Sequence, residues 1–476
     1  MKVSQRPHRA AAALASERII LRTDRRSARL ASSLLLVCVA GWLIVVTMHD
    51  RPAANWYAEG RFGWSVALLA AVVLIARGVF LGRPVTPRHM VGSAALLSAG
   101  LFAHFLAFGG WGNVLVAASG LVLMWPTSAE PQPELLQRVW ALVDATEADP
   151  LAPFAMHSLK SYYFNATGTA AIAYRTRLGF AVVSGDPIGD KTQFERLAID
   201  FAVMCRSRGW RVVVLAGAQR YLGLWTRELI GQAMLAVPIG RDVVVDVEHF
   251  SLTGRRYRNL RQAVQRTRNR GVTTEIIDER DLDARLVSEL SEVLYASHGG
   301  VRTERGFCMN LDGALQGRCP GVALAIARDS AGRAVAFHRY ASAGAGSEIT
   351  LDAPYRRPDA PNGIDERLTV DMIAAAKSVH ARRLSLAFAA FPEVFDAAHP
   401  GILQRIAYRL IHLLDPFISL ESLYRYLRKF HALSERRYVV LCTHHIPSAL
   451  VVLLSLEFAP RRRRLRPTHH RVDAGA

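Results

Sequence analysis

Four apolar runs within the first 125 residues constrain this chain more than any other feature. They lie at 30–48 (LASSLLLVCVAGWLIVVTM), 63–82 (GWSVALLAAVVLIARGVFLG), 90–108 (MVGSAALLSAGLFAHFLAF) and 111–125 (WGNVLVAASGLVLMW). Each approaches the roughly 20 residues that an α-helix needs to cross a bilayer, the fourth being the shortest. Hydrocarbon offers no partner to open backbone, so such a run has to close its own hydrogen bonds as a helix. The sequence thus predicts a membrane domain of about four transmembrane helices over 30–125, behind a basic segment at 1–29. A cleaved signal peptide is the competing reading of the first run, but the 29 mostly polar residues before it make an unusually long leader.

The basic residues set an expected orientation. Arg6, Arg9, Arg18, Arg22, Arg25, Arg26 and Arg29 precede the first run, and Arg83 and Arg88 separate the second from the third. The loop between the first and second mixes Asp50, Arg51, Glu59 and Arg61. Short loops rich in Lys and Arg stay inside, which puts the N-terminus and, after four crossings, the large C-terminal part in the cytoplasm. Arg77, near the end of the second run, reads either as a snorkelling side chain or as a functional intramembrane charge.

The 476 residues exceed one ordinary domain and suffice for two cores. With 59 Lys and Arg against 40 Asp and Glu, the net charge of +19 favours a polyanionic partner, nucleic acid or anionic lipid. Cys38, Cys205, Cys308, Cys319 and Cys442 are odd in number and widely spaced, which argues against a disulfide framework or structural zinc and for a reducing compartment.

A linker, PTSAEPQPE at 126–134, separates the apolar part from a region that reads as α/β. Expected helices lie at 135–147, 191–208, 219–230, 281–297 and 364–380. Expected strands lie at 169–175, 179–187, 210–218, 242–247, 321–329, 334–342, 347–352 and 383–391. Two similar mixed units in tandem, 135–297 and 298–445, are the simplest architecture, followed by an apolar segment and basic tail at 446–476. IPSALVVLLSLEF at 446–458 is short for a span and suits a buried or interfacial helix, and RRRRLRP at 461–467 suits an anionic leaflet.

Several stretches come in the order and spacing of one family: VVSGDPIGD, FAVMCRSRGW, IGRDVVVDVEHFSLTGRRYRNLRQAVQRTRNRG, TERGFCM, TLDAPYRRPDAPNGIDERL and LYRYLRKFHALSERRYVVL. Over roughly 150–445 the chain resembles the C-terminal catalytic domain of the MprF-type phosphatidylglycerol lysyltransferases and alanyl-phosphatidylglycerol synthases. The resemblance implies tandem GNAT-like acyltransferase units with a tunnel between them. It also implies transfer of an aminoacyl group from aminoacyl-tRNA to the headgroup hydroxyl of an anionic phospholipid, which lowers membrane charge and protects against cationic peptides. No cofactor or metal is implied, and the oligomeric state stays open.

Ester-to-hydroxyl transfer needs a positioned nucleophile, help with its proton, and donors for the developing oxyanion. The resemblance assigns these roles to Asp352 with Arg356 or Arg357, and to Lys429 and Arg437. The family's basic partner stands about three residues after its Asp, where this chain has Tyr355, so either Arg can take the role. Lys429 and Arg437 keep the family's Lys-Phe and Arg-Tyr pairs, although Ala432, Leu433 and Ser434 replace the usual Pro and Trp between them. Glu304 matches a residue suited to an aminoacyl ammonium, and Asp186 of SGDP stands at a strand end as a weaker candidate. Asn362-Gly363 reads as a turn needing positive φ before a helix. The bland alternatives are a loop salt bridge at Asp352 and solvated basic surface at Lys429 and Arg437.

The densest positive stretch is 254–271, where Arg258, Arg261 and Arg268 share a helical face opposite Leu260 and Val264. It suits tRNA or lipid phosphates, or is simply a solvated face. An acyl-CoA-dependent acyltransferase is a rival, but RSRGWR and RNRGVT lack the last small residue of a pyrophosphate loop. An inactive membrane-tethered lipid- or RNA-binding protein is a second. The four expected spans are fewer than full-length relatives carry, which puts lipid flipping in doubt. No synthetase segment follows the transferase region, so charged tRNA is expected from elsewhere.

Overall fold

The computed structural model describes residues 19–21, 23, 26–49, 56–106, 108–297, 303–304, 306–392, 420–457 and 461–462. Helices form at all four apolar runs: α1 (Arg26–His49), α2 (Trp56–Phe80), α3 (Pro87–Phe105) and α4 (Gly109–Leu123). Of these, two contain segments long and apolar enough to cross a membrane, 26–48 and 62–80, and α4 is a shorter apolar helix. With these apolar helices the chain reads as membrane-localised.

The remaining helices are α5 (Leu136–Asp144), α6 (Phe194–Ser207), α7 (Arg227–Ile230), α8 (Arg258–Asn269), α9 (Ala284–Ser297), α10 (Ile364–Ser378), α11 (Leu420–Arg428) and α12 (Ile446–Glu457). The strands are β1 (Ser161–Phe164), β2 (Ala170–Arg177), β3 (Phe180–Ser184), β4 (Ile188–Gly189), β5 (Arg211–Ala218), β6 (Met234–Asp246) and β7 (Thr273–Asp278). They continue with β8 (Thr303–Glu304), β9 (Val322–Arg328), β10 (Ala334–Ala343), β11 (Glu348–Arg356), β12 (Arg383–Ala390), β13 (Leu433–Cys442) and β14 (Arg461–Arg462).

One mixed sheet runs in the order β1-β2-β3-β5-β13-β6-β12-β11-β10-β9-β7, with β4 beside β2. Its two ends repeat one pattern. Strands β2 and β3 are antiparallel, α6 crosses over, and β5 returns parallel to β3. Likewise β10 and β11 are antiparallel, α10 crosses over, and β12 returns parallel to β11. The last strand of each repeat is exchanged: β13 lies against β5, and β6 lies against β12. The two exchanged strands pair with each other at the centre, Arg437 opposite Gly240 and Leu441 opposite Leu235.

Alternating apolar positions bury both faces of β3 and β5. Val212 and Val214 of β5 pack with Phe194, Leu197 and Phe201 of α6, whereas Val213 and Leu215 pack with α5 and α12. Leu260 and Val264 of α8 join Leu368 and Ile373 of α10 over the second half. Helix α12 divides its surface as an interfacial helix would: Ala449, Val452, Leu453 and Leu456 are buried, while Ile446, Leu450 and Val451 are exposed. Burying each large apolar side chain stabilises by about 1.5–3 kcal/mol, which fixes that helix to the core by one face only.

The membrane helices meet the sheet at a close backbone approach. Gly82 and Gly209 both have positive φ, and a Cβ on Gly209 would lie 2.6 Å from the Gly82 carbonyl oxygen. Only glycine fits there at no steric cost. Trp210 then donates from Nε1 to the Thr127 carbonyl at 2.8 Å.

Several expected elements change length for physical reasons. The strand expected at 347–352 continues to Arg356 because β10 keeps pairing with it as far as Ala336. The strand expected at 242–247 begins at Met234, where β13 supplies partners. The helix expected at 219–230 is a 3₁₀ stretch, Gln219–Trp225, followed by the single turn of α7.

Candidate active site

Strand β11 pairs with β12 only through Glu348, Ile349 and Thr350, then diverges toward Arg356 alongside β10. Strand β3 similarly ends its parallel pairing with β5 at Ser184, opposite Leu215. The sheet is thus open at two equivalent points, and an acidic residue stands two positions beyond the last parallel pair at each. These are Asp186 and Asp352. Gly185, at φ 73°, makes the turn that brings Asp186 back beneath β5, where its carboxylate accepts from the Ala218 N–H at 3.0 Å.

Each aspartate holds a buried arginine. Arg437, on central β13, is completely buried and donates to three carboxylates: Asp149 at 2.9 Å, Asp186 at 2.8 Å and Asp242 at 2.8 Å. It joins the loop after α5, the end of β3 and the exchanged strand β6. Three carboxylates around one guanidinium leave an excess of negative charge in a low-dielectric place. Burial accordingly pushes Asp186 and Asp242 above the ordinary carboxylate range, to about 7 and about 6, against the opposing pull of Arg437. Asp149 Oδ2 and Asp242 Oδ1 have no hydrogen-bond partner among the described residues. Asp242 also lines a groove of about 820 Å³ whose wall includes Arg220, Asp246, Lys377, Arg383 and Glu435.

Asp352 pairs with neither Arg356 nor Arg357. Its buried carboxylate accepts from the Leu311 N–H at 2.7 Å and from Arg339 at 2.9 Å, and Arg339 continues to Glu279 at 2.9 Å. Burial pushes Asp352 up to about 6, with Arg339 opposing. The partner comes from the neighbouring strand because β10 faces Asp352 across the ladder, while the later residues of β11 carry the two sequence candidates away. Arg356, half exposed, donates to Asp365 at 3.1 Å. Arg357 lies 3.6 Å from Asp359 and 3.8 Å from Glu292.

Lys429 follows α11 and donates to Glu366 in the first turn of α10. Its neighbour Asp365 accepts from buried His338 at 3.1 Å. Although burial favours the neutral acid, that hydrogen bond and the nearby charges of His338, Arg356 and Lys429 hold Asp365 below its ordinary value. Gly363 caps the helix at φ 97°, where a Cβ would meet the Ala263 carbonyl oxygen at 2.9 Å. The sequence candidates therefore divide into three groups: Arg437 with Asp186, Asp352 with Arg339, and Lys429 with Arg356 through the adjacent acids of α10.

The basic stretch forms α8, with Leu260 and Val264 buried as its spacing predicts. Arg258, Arg266, Arg268 and Arg270 are exposed, and among the described residues no carboxylate pairs with them. Arg261 instead turns inward to the carbonyls of Leu252 and Gly254. Glu304 lies in β8, whose backbone pairs with Arg461 of β14, and its side chain is outside the described residues.

Sequence reasoning missed Asp149, Asp242, Glu279 and Arg339, which complete the two buried clusters. It also missed Lys160, fully buried and donating to Ser184 Oγ and the Phe154 carbonyl, both at 2.6 Å. A signal for part of this was present: SGDP and TLDAP both follow an apolar strand, and they mark the two equivalent openings.

Residues 140–441 match the family model described as phosphatidylglycerol lysyltransferase, C-terminal. The chain belongs to the phosphatidylglycerol lysyltransferase family. It is 59% identical over 450 residues to the MprF-like domain protein Rv1619 of Mycobacterium tuberculosis, covering 94% of this chain and 93% of that protein. It is 28% identical over 379 residues to the lysylphosphatidylglycerol biosynthesis bifunctional protein LysX of Rhodococcus jostii, covering 77% of this chain but only 31% of that protein. The C-terminal domain of a putative lysylphosphatidylglycerol synthetase from Agrobacterium fabrum shares the fold of this family member. Its TM-score is 0.59 at 22% identity, over 70% of this chain and 99% of that domain.

Proposed function

We propose that this chain moves an aminoacyl group, lysyl or alanyl, from aminoacyl-tRNA to the headgroup hydroxyl of phosphatidylglycerol or a related anionic lipid. It would act as a multi-pass membrane protein with its catalytic part in the cytoplasm, and its product would lower membrane negative charge. The observation that carries the reading is the carboxylate excess around Arg437, with Asp149 Oδ2 and Asp242 Oδ1 lacking a hydrogen-bond partner among the described residues and Asp242 lining a groove. A buried site with surplus negative charge is suited to the ammonium of an aminoacyl ester, whose arrival would restore neutrality.

In the transfer the lipid hydroxyl oxygen attacks the ester carbonyl carbon. The new ester bond forms as the bond to the tRNA ribose oxygen breaks, and the hydroxyl proton ends on that ribose oxygen. One ester replaces another, so the step needs no redox partner. Asp352, Lys429 and Arg437 are the residues assigned to it, with Arg356, Arg357, Asp186 and Glu304 as supporting candidates. Arg258, with the exposed part of α8, is suited to the tRNA backbone.

The test is lipid extraction and mass analysis of cells expressing this protein, beside an Asp352→Ala/Lys429→Ala variant of equal membrane abundance. A new aminoacyl-phospholipid confined to the unmodified protein supports the proposal and identifies both substrates. A lipid profile unchanged from cells lacking the protein counts against it.

A further inference from the structure

A second cavity, of about 540 Å³, lies where the membrane helices meet the sheet. Its wall brings together Arg29 of α1, Phe80 at the end of α2, Arg206 and Arg211 at the α6–β5 connection, and His444 and His445 after β13. No Asp or Glu lines it. Among the described residues, no carboxylate forms an ion pair with Arg29, Arg77, Arg206 or Arg211. Arg206 spends one donor on the Ile230 carbonyl at 2.5 Å.

The like charges act on one another. Burial pulls Arg211 below the ordinary guanidinium range, with Arg77 adding to the effect, and Arg83 is lowered by burial, Arg77 and Arg211 together. His445 is lowered by burial, Arg211 and His444. Such a concentration of positive charge is costly unless an anion joins it.

The surroundings say which anion. The cavity adjoins the end of α2, a helix of membrane-crossing length, and exposed apolar side chains lie nearby. Phe80 and Leu81 line it, and the exposed Ile446 that opens α12 directly follows His445. Thr443 ties the start of that helix to β6 through the Ala233 carbonyl at 3.1 Å. A free anion has no use for this apolar rim, whereas a phospholipid would place its phosphate among the arginines and its chains along the rim. The cavity is also separate from the Arg437 cluster. Arg211 and Ala218 mark opposite ends of β5, about 23 Å apart at the rise of a strand.

We propose that this cavity binds the phosphodiester headgroup of an anionic phospholipid at the membrane surface, apart from the buried aspartate clusters. The proposal adds a second lipid site to the function above and rests on its membrane-anchored reading.

The experiment uses the full-length protein in neutral detergent, without tRNA, titrated calorimetrically with dihexanoyl phosphatidylglycerol, dihexanoyl phosphatidylcholine and inorganic phosphate. Phosphatidylglycerol should bind, phosphatidylcholine should bind at least about tenfold more weakly, and phosphate should give no comparable signal. Arg211→Gln should weaken phosphatidylglycerol by roughly tenfold, the scale of one charge-assisted hydrogen bond. Arg29→Gln, on the exposed side, provides the same test should the first variant fail to fold. Equal binding of phosphatidylcholine, or full binding by both folded variants, overturns the proposal. Phosphate binding as tightly as the lipid overturns the lipid assignment in favour of a free-anion site. Because tRNA is absent, this result is independent of whether an aminoacyl-lipid forms in cells.

Discussion

Arg437 shows what a single position reveals before and after folding. Its place before Tyr438 could be read from sequence, and so could a preference for anionic partners. That those partners are Asp149, Asp186 and Asp242 could not, because they lie up to 288 residues away and meet only when β13 enters between β5 and β6. The resulting carboxylate excess has a pH signature. From an unfolded value of 3.8, Asp186 is raised to about 7, and Asp242 and Asp352 to about 6. A group raised in this way binds more protons folded than unfolded. Its stabilising contribution is full below the unfolded value and is lost as pH rises through the folded one. Lowering the pH from about 7.5 to about 5.5 should therefore raise Tm, and an Asp186→Asn/Asp242→Asn variant should show a flatter dependence. Equal slopes for the two proteins in thermal melts would rule out these aspartates as its source.

At the scale of elements, local pattern was a good guide wherever one segment decides its own fate. The helix at α8 and its buried Leu260 and Val264 follow from spacing alone, and so does the positive φ at Gly363. Pairing partners were less legible: the sequence placed a loop after Asp352, but β10 extends the strand to Arg356 and substitutes Arg339 as the aspartate's partner. The outward arginines of α8 allow a direct test of polyanion binding. Replacing Arg258, Arg266, Arg268 and Arg270 with Gln disturbs no buried packing, so melting behaviour should hold. If they neutralise tRNA phosphates, the logarithmic dependence of affinity on salt should become shallower by about 3, near 0.7 for each phosphate released on a single strand. Filter binding across a salt series reads this, and an unchanged slope would leave the arginines as solvated surface.

At the scale of the whole molecule, the exchange of β6 and β13 is the feature that no local pattern announces. A division into units at 135–297 and 298–445 follows the repeat in sequence, yet strand pairing crosses it four times, at β5–β13, β13–β6, β6–β12 and β9–β7. Within the first unit, β6 is separated from β5 by a strand supplied more than 130 residues later, so residues 135–297 alone would leave two long strands with unpaired edges. Unpaired edges expose backbone donors and acceptors and invite association. Arg437 would also be missing, leaving Asp149, Asp186 and Asp242 packed together with no cation, which is strongly destabilising in a protein interior. The fragment 135–297 should thus be recovered aggregated or without protected amides in β5 and β6, while 126–457 should show protection across all the central strands by hydrogen exchange. A monomeric 135–297 with slowly exchanging β6 amides would mean that each half closes its own sheet, and that the exchange seen here is one of two pairings open to the chain.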